Sequence, residues 1–340
     1  MARNRKAARK ISWSLDKQTA QGTPFVIASL DKFIDLVDPL TYQNEMDILS
    51  DKGMVGKGHE FATTQYVNSR HITGSVAQQP LPADMITNMI GAALGNVSST
   101  GTDPTVHTIK LTPVVTTPVP YTIGFGLDDD GSDIVLNDVV ISQFNLAGSG
   151  VGRIEFGFDF LASKATALGS ATWPAAAALD YVNHFSGTYT VATVDKKTQL
   201  RSFNLSVNPG VSLDRAWQKG ATEAARPYPS YWAFDEEARE HSLEITFEAE
   251  AGDLDTWRGY QYTPTEVEVV VTCLGDAIST GTFVVGFEMH KGIVTGLTHE
   301  WSNGILLITA TLVGNYEAST TLTPLTFTCH TEDAAILAAP

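Results

Sequence analysis

The segment His71–Gly95 restricts the fold most, because it passes from a strand-like pattern through a proline-bounded turn into one amphipathic helix. Its apolar residues recur with helical spacing and share one side: Met85, Ile86, Met89, Ile90, Ala93 and Leu94. Three polar residues fall on the opposite side: Asp84, Thr87 and Asn88. Pro82 is suited to open such a helix and Gly95 to close it. The segment predicts one helix that lies with its apolar side on a β-sheet.

After this helix, the sequence alternates between apolar and polar residues with the period of two that is typical of half-buried strands. In Val151–Leu161, the apolar residues Ile154, Phe156, Phe158 and Phe160 alternate with Glu155, Gly157 and Asp159. The pattern predicts a mainly β fold, an antiparallel β-sandwich or barrel with one flanking α-helix. Shorter signals predict a strand at residues 25–28, helical turns at 31–37 and a helical piece at 253–260.

The order of features in the first half recurs in the second half, which predicts a duplicated chain. Lys52-Gly53 and Lys219-Gly220 each precede a strand, a helix and a final hairpin. The two hairpins align with one gap: Ile141, Phe144, Gly152, Ile154, Phe156 and Phe158 match Val294, Leu297, Gly304, Leu306, Ile308 and Ala310. The predicted units are a basic N-terminal arm (residues 1–22) and two tandem β domains (23–195 and 196–340).

Charge is distributed unevenly along the chain. It has 22 Lys and Arg residues against 38 Asp and Glu residues. Five bases lie in the first ten residues without an acid among them: Arg3, Arg5, Lys6, Arg9 and Lys10. The other 330 residues therefore carry 17 bases and 38 acids, a formal net charge of −21. A body of this charge repels polyanions, which excludes general electrostatic binding of DNA.

The sequence contains no motif that predicts catalysis, a cofactor or a metal. Asp128–Asp133 lacks the closing Glu of a calcium-binding loop and favours a solvated turn, and Gly148–Gly152 precedes a strand and so favours a hairpin rather than a phosphate loop. The eight histidines have no metal-ligand spacing. Cys273 and Cys329 are predicted to be free thiols. No segment resembles a signal peptide or a membrane span, so synthesis in the cytoplasm is expected.

Several segments resemble the tail tube proteins, or major tail proteins, of long-tailed bacteriophages. They are residues 71–76 (HITGSV), 80–82 (PLP), 90–95 (IGAALG), 107–113 (HTIKLTP), 120–123 (PYTI) and the paired strands within 139–160. The resemblance covers residues 50–161 well and 200–313 loosely. It implies a structural virion protein, a β-sandwich with a flanking helix that self-assembles into rings. The rings stack into a tail tube for genome ejection.

The resemblance also implies partners and surfaces. The main partner is the chain itself, as hexameric rings or as trimers with pseudo-sixfold symmetry. Other tail proteins cap the tube, and viral DNA passes through without specific binding; no membrane partner, cofactor or enzyme activity is expected. Long loops predict inter-ring contacts through Lys52, Gly53, Lys57, His59, Trp217, Lys219 and Tyr231. Three outward-facing carboxylates predict the lumen: Glu244, Glu248 and Glu250.

A carbohydrate-binding or virion-surface β-sandwich is the alternative that the residues leave open. Its binding platform would be the aromatic residues of the second long loop: Trp217, Tyr228, Tyr231 and Trp232. The basic N-terminal residues are expected either to dock on acidic neighbours when rings assemble or to form a disordered tail.

Overall fold

The computed structural model describes residues 8–51, 64–111, 118–127, 133–169, 171–212, 229, 232–234, 239–278, 280–315 and 323–337. Its two α-helices are α1 (Ala83–Leu94) and α2 (Asp253–Tyr262). The strands of the first half are β1 (Ala8–Trp13), β2 (Lys32–Asp35), β3 (Thr41–Asp51), β4 (Thr64–Pro80), β5 (Val97–Thr100), β6 (Thr105–Leu111), β7 (Tyr121–Leu127), β8 (Asp133–Ser149), β9 (Glu155–Ala162), β10 (Lys164–Gly169) and β11 (Ala175–Ala176). Those of the second half are β12 (Val182–Val191), β13 (Val194–Asp195), β14 (Leu200–Asn208), β15 (Val211–Ser212), β16 (Ala233–Phe234), β17 (Glu240–Glu248), β18 (Val267–Ile278), β19 (Gly281–Ser302), β20 (Ile305–Gly314) and β21 (Leu325–Thr331).

The prediction of a mainly β protein is confirmed, since nineteen strands belong to one connected sheet. One run of eight strands is antiparallel throughout, in the order β3-β4-β9-β8-β14-β17-β20-β19. This eight-stranded run draws four strands from each half of the chain. Its two halves join where β8 pairs with β14.

Long strands pass from one part of the sheet to another. The first part of β19 pairs with β18 and β21, and its last part pairs with β20. Likewise, the first part of β8 pairs with β7 and β10, and its last part with β9 and β14. One hydrophobic core lies under these strands and contains aromatic side chains from both halves, among them Phe144, Phe156, Phe203 and Phe327.

Helix α1 has the predicted position. Pro82 precedes it, and Gly95 ends it with φ of 69°, a left-handed conformation that glycine adopts without strain. All twelve of its residues are buried, including Asp84, Thr87 and Asn88 on the side opposite the apolar one. Thr87 Oγ1 and Asn88 Nδ2 donate to main-chain oxygens one turn earlier, at 2.8 and 3.0 Å.

A buried ion-pair cluster holds the start of α1 in place. Lys32 Nζ on β2 lies 2.6 Å from Asp84 Oδ2 on α1 and 2.7 Å from Asp333 Oδ1 near the C-terminus. The two carboxylate side chains are 7% and 9% exposed, so the ammonium group neutralises charge where water has little access. Three segments far apart in sequence thus meet at one side chain.

The N-terminal third departs from its predictions. Residues 8–13 form β1, which pairs with β2 and β7, so the predicted arm does not continue unpaired to residue 22. Residues 32–35 form a strand rather than helical turns, and Ile27–Ser29 form a turn of 3-10 helix rather than part of a strand. The helical piece predicted at 253–260 is confirmed as α2.

Candidate functional site: a polar sheet face with two free edges

The eight-stranded run buries one face and exposes the other, because its strands alternate apolar and polar residues in matching register. Leu243, Ile245 and Phe247 of β17 are at most 2% exposed, as the sequence predicted. The neighbouring strands turn polar residues to the opposite face in cross-strand rows: Glu155, Ala147, Asn204, Glu244 and Thr311 form one such row. We call this opposite face the polar face.

Hydroxyl and amide groups connect the strands across the polar face. Thr246 and Thr309 hydroxyls lie 2.9 Å apart, and Gln143 Nε2 donates to Ser206 Oγ at 3.3 Å. At the β3 end of the run, Thr41 and Ser75 hydroxyls lie 2.8 Å apart. These hydrogen bonds connect neighbouring strands across the polar face.

The polar face is acidic. Its register positions carry seven carboxylates among the described residues: Glu45, Glu155, Asp159, Glu240, Glu244, Glu248 and Glu300. Three arginines lie close to these carboxylates: Arg201, at the register shift of β14, pairs with Glu248, and Arg153 and Arg239 lie beside Glu155 and Glu240. Partial burial raises the pKa of Asp159. The sequence could have predicted Glu155 and Asp159, since they alternate with buried phenylalanines.

The three predicted lumen carboxylates do not form one set. Glu244 is exposed on the polar face, and Glu248 on the same strand forms an ion pair with Arg201. Glu250 was wrongly placed on this strand, because β17 ends at Glu248. Its carboxylate lies 3.4 Å from Lys196 Nζ instead, next to the start of α2.

Both ends of the eight-stranded run are free edges in the described residues. β3 pairs with β4 on one side only, and residues 293–302 of β19 pair with β20 on one side only. Each edge carries large apolar side chains that the core does not cover: Tyr42 (37% exposed), Met46 (53%) and Trp301 (73%). An unpaired strand edge with exposed apolar residues favours pairing with another chain.

Most predicted contact residues lie outside the described residues. They are Arg3, Arg5, Lys6, Lys52, Gly53, Lys57, His59, Trp217, Lys219 and Tyr231. Arg9 and Lys10 lie in β1. Trp232 contradicts the proposed aromatic platform: it is 3% exposed, and its indole Nε1 donates to the Asp138 main-chain oxygen at 2.8 Å. Cys273 and Cys329 are free thiols, as predicted, and both are buried.

No model of a protein family matches the chain, and a comparison with curated proteins finds no match either. Among the described residues, no helix is long and apolar enough to cross a membrane.

Proposed function

We propose that this protein is a structural subunit of a bacteriophage tail tube, whose copies join edge to edge into rings around a channel lined by the polar face. The observation that carries the proposal is the eight-stranded antiparallel run with one acidic, hydrogen-bonded face and two free edges. A channel for DNA needs a negative, weakly adhesive wall, since contacts between cationic side chains and phosphates would retain the DNA.

The strand pairings support a duplicated chain with two tandem tube-like β-sandwich units. β3, β4, β9 and β8 are neighbours in the first half of the run, and β14, β17, β20 and β19 are neighbours in the same order in the second. In each set, the strand listed second is followed in the chain by a helix: α1 follows β4, and α2 precedes β18 after β17. The two strands that come last in the chain form a hairpin, β8 with β9 and β19 with β20. β7 pairs with β8 as β18 pairs with β19.

Irregularities of register recur at matching positions, which strengthens this argument. On β8 the register with β9 shifts between Ile141 and Gln143, and on β19 the register with β20 shifts between Val294 and Gly296, 153 residues later in both cases. On β7 and β18 shifts occur at residues 121–123 and 267–269, 146 residues apart. Register shifts are specific local features, so two in matching positions favour common origin over chance.

The join inside the chain then serves as the template for the join between chains. β14 corresponds to β3, because each pairs with the strand that precedes the helix of its half. Leu205 of β14 faces Leu243 of β17, and this pair is equivalent to Tyr42 of β3 facing Gly74 of β4. β8 corresponds to β19. The free edge of β19 in one copy should therefore pair with β3 of the next copy, in the way that β8 pairs with β14.

This template fixes the register of the junction. Within the chain, Asn145 faces Ser206. Transferred to the free edges, this pair becomes Thr298 facing Gln43 of the next copy. The junction would provide hydrogen-bond partners for the unpaired backbone groups of both edges, and it would cover Tyr42 and Trp301. Three chains with two units each then complete a ring with pseudo-sixfold symmetry.

Electron microscopy combined with disulfide trapping tests the proposal. The double variant Q43C/T298C places both thiols on the polar face at the predicted junction, and the buried native cysteines compete little. We expect rings or tubes, and oxidation should convert most of the protein into covalent multimers. The control T41C/T298C is two residues out of register, roughly 7–8 Å across the diagonal, too far for a disulfide.

The possible outcomes distinguish the proposed tail tube function from the proposed register between β19 and β3. Dispersed monomers at all concentrations would contradict the tail tube proposal itself. Tubes in which Q43C/T298C crosslinks no better than T41C/T298C would refute the β19–β3 register and leave the function standing.

A further inference from the structure

A second group of side chains lies outside the cross-strand rows of the polar face, where β19 pairs with β18 and β21. Glu268 is on β18, and Glu288 and His290 are on β19. The register of the two strands shifts here, so that Glu268 lies opposite the extra residue of β19. Such a bulge re-aims side chains, and it directs these three toward one another.

The geometry of the group is that of a small metal site. One ligand atom from each of the three side chains lies within 4.8 Å of the others. His290 Nδ1 is 2.7 Å from Glu288 Oε1. The other ring nitrogen, Nε2, is 3.2 Å from Thr326 Oγ1 on β21. A partner on the far nitrogen orients the ring, as it does for metal-ligating histidines in general.

The electrostatics of the group call for a cation. Glu288 is hydrogen-bonded to Glu268 as well as to His290, so two carboxylates face each other in a half-buried setting. A divalent ion between the carboxylates would remove their repulsion.

We propose that Glu268, Glu288 and His290 bind one divalent transition-metal ion. The imidazole nitrogen favours a borderline ion such as Zn²⁺ over Ca²⁺ or Mg²⁺, which prefer all-oxygen sites. Zinc ligands lie about 2.0–2.2 Å from the ion. Small rotations of the three side chains bring their ligand atoms to this distance from one central ion. Three protein ligands leave a fourth position for water. The ion fastens β18 to β19 beside the bulge and, through Thr326, restrains β21.

The first half of the chain provides an internal reference. With the residue offsets given above, the three ligands correspond to Thr122, Val135 and Asn137. Asn137 Nδ2 donates to Thr166 Oγ1 at 3.4 Å, in the place of the contact between His290 and Thr326. The equivalent strands of the first half therefore adopt this arrangement although they carry no group of metal ligands. This comparison uses the proposed duplication, whereas the metal site stands on its own geometry.

Calorimetric titration of the chelator-treated, full-length protein with Zn²⁺ tests the site. We expect one ion per chain and a rise in Tm that grows with the Zn²⁺ concentration, because the ion binds the folded state only. H290N and E288Q should each weaken binding at least 100-fold. T326A should weaken it about tenfold, since it removes only the group that orients the ring.

The matched control is E266Q, which removes a carboxylate that pairs with Lys291 at 2.8 Å and is no part of the ligand group. It should bind Zn²⁺ like the unaltered protein. The proposal is overturned if the unaltered protein takes up no ion at 1 mM Zn²⁺, or if H290N and E288Q keep the same stoichiometry and affinity. Circular dichroism of each variant shows whether lost binding reflects lost folding.

Discussion

His107 is a histidine that the fold keeps neutral. It is fully buried on β6, with Nδ1 2.8 Å from Ser99 Oγ and Nε2 2.8 Å from Thr331 Oγ1. Burial lowers its pKa to about 4, which outweighs the opposing effects of Asp333 and Asp84. In the unfolded chain the same group titrates near pH 6.5. Protonation therefore favours the unfolded state.

This difference predicts a loss of stability in acid. Between pH 6.5 and 4 the unfolded chain binds a proton at His107 that the folded chain does not, so the free energy of unfolding falls as the pH falls through this window. The full contribution is on the order of 3 kcal/mol. Urea unfolding at a series of pH values measures it.

The variant H107Q keeps hydrogen-bonding capacity at the site and cannot titrate. Its unfolding free energy should change less between pH 6.5 and 4 than that of the unaltered protein. Parallel curves for the two proteins would show that other groups cause the acid sensitivity.

At the scale of elements, sequence patterns predicted what depends on local spacing. The bounds of α1 followed from Pro82, Gly95 and the apolar periodicity between them, and β9 followed from the alternation within Val151–Leu161. The burial of the polar side of α1 could not be predicted in this way. It depends on Lys32 and on the C-terminal segment, which lie 52 and 249 residues from Asp84.

The predictions for short elements were wrong for the same reason. The four residues of β2 carry too little periodicity to distinguish a strand from a helical turn, and their pairing with β1 decides the outcome. Trp232 was expected on an exposed loop, yet its indole reaches a main-chain oxygen 94 residues away. Contacts at such separations leave no signal in a single sequence.

The cluster of Lys32, Asp84 and Asp333 predicts a strong effect of one substitution. K32M removes the cation and leaves two buried carboxylates facing each other. Removing one partner of a buried ion pair typically costs about 3–5 kcal/mol of folding free energy. We expect a loss in this range in urea unfolding near neutral pH.

The control K32M/D84N/D333N replaces both carboxylates with neutral groups of the same shape. It should recover much of the stability lost in K32M, because the remaining groups carry no net charge. Equal stability of K32M and the unaltered protein would show that the ion pairs contribute nothing net to folding.

For the whole molecule, the sequence predicted the acidity and the recurring order of features. It could not predict which carboxylates share a surface, because that depends on strand register across the eight-stranded run. Glu155 and Glu244 lie 89 residues apart in sequence, yet Ala147 and Asn204 alone separate them in one cross-strand row. The grouping of Glu268 with His290 escaped detection for the same reason.

The proposed assignment of the polar face to the channel predicts how one charge reversal affects DNA. E244K places a lysine in the middle of the face in every chain, and each phosphate that it contacts steepens the dependence of log K on log salt by roughly 0.9. Assembled E244K tubes should therefore retain duplex DNA at low salt and release it at high salt. The control D255K makes the same change of net charge on α2, where the Asp255 side chain is 89% exposed and away from the polar face. If D255K tubes retain DNA as strongly as E244K tubes, net charge is the cause; if neither retains it, the polar face does not line the channel.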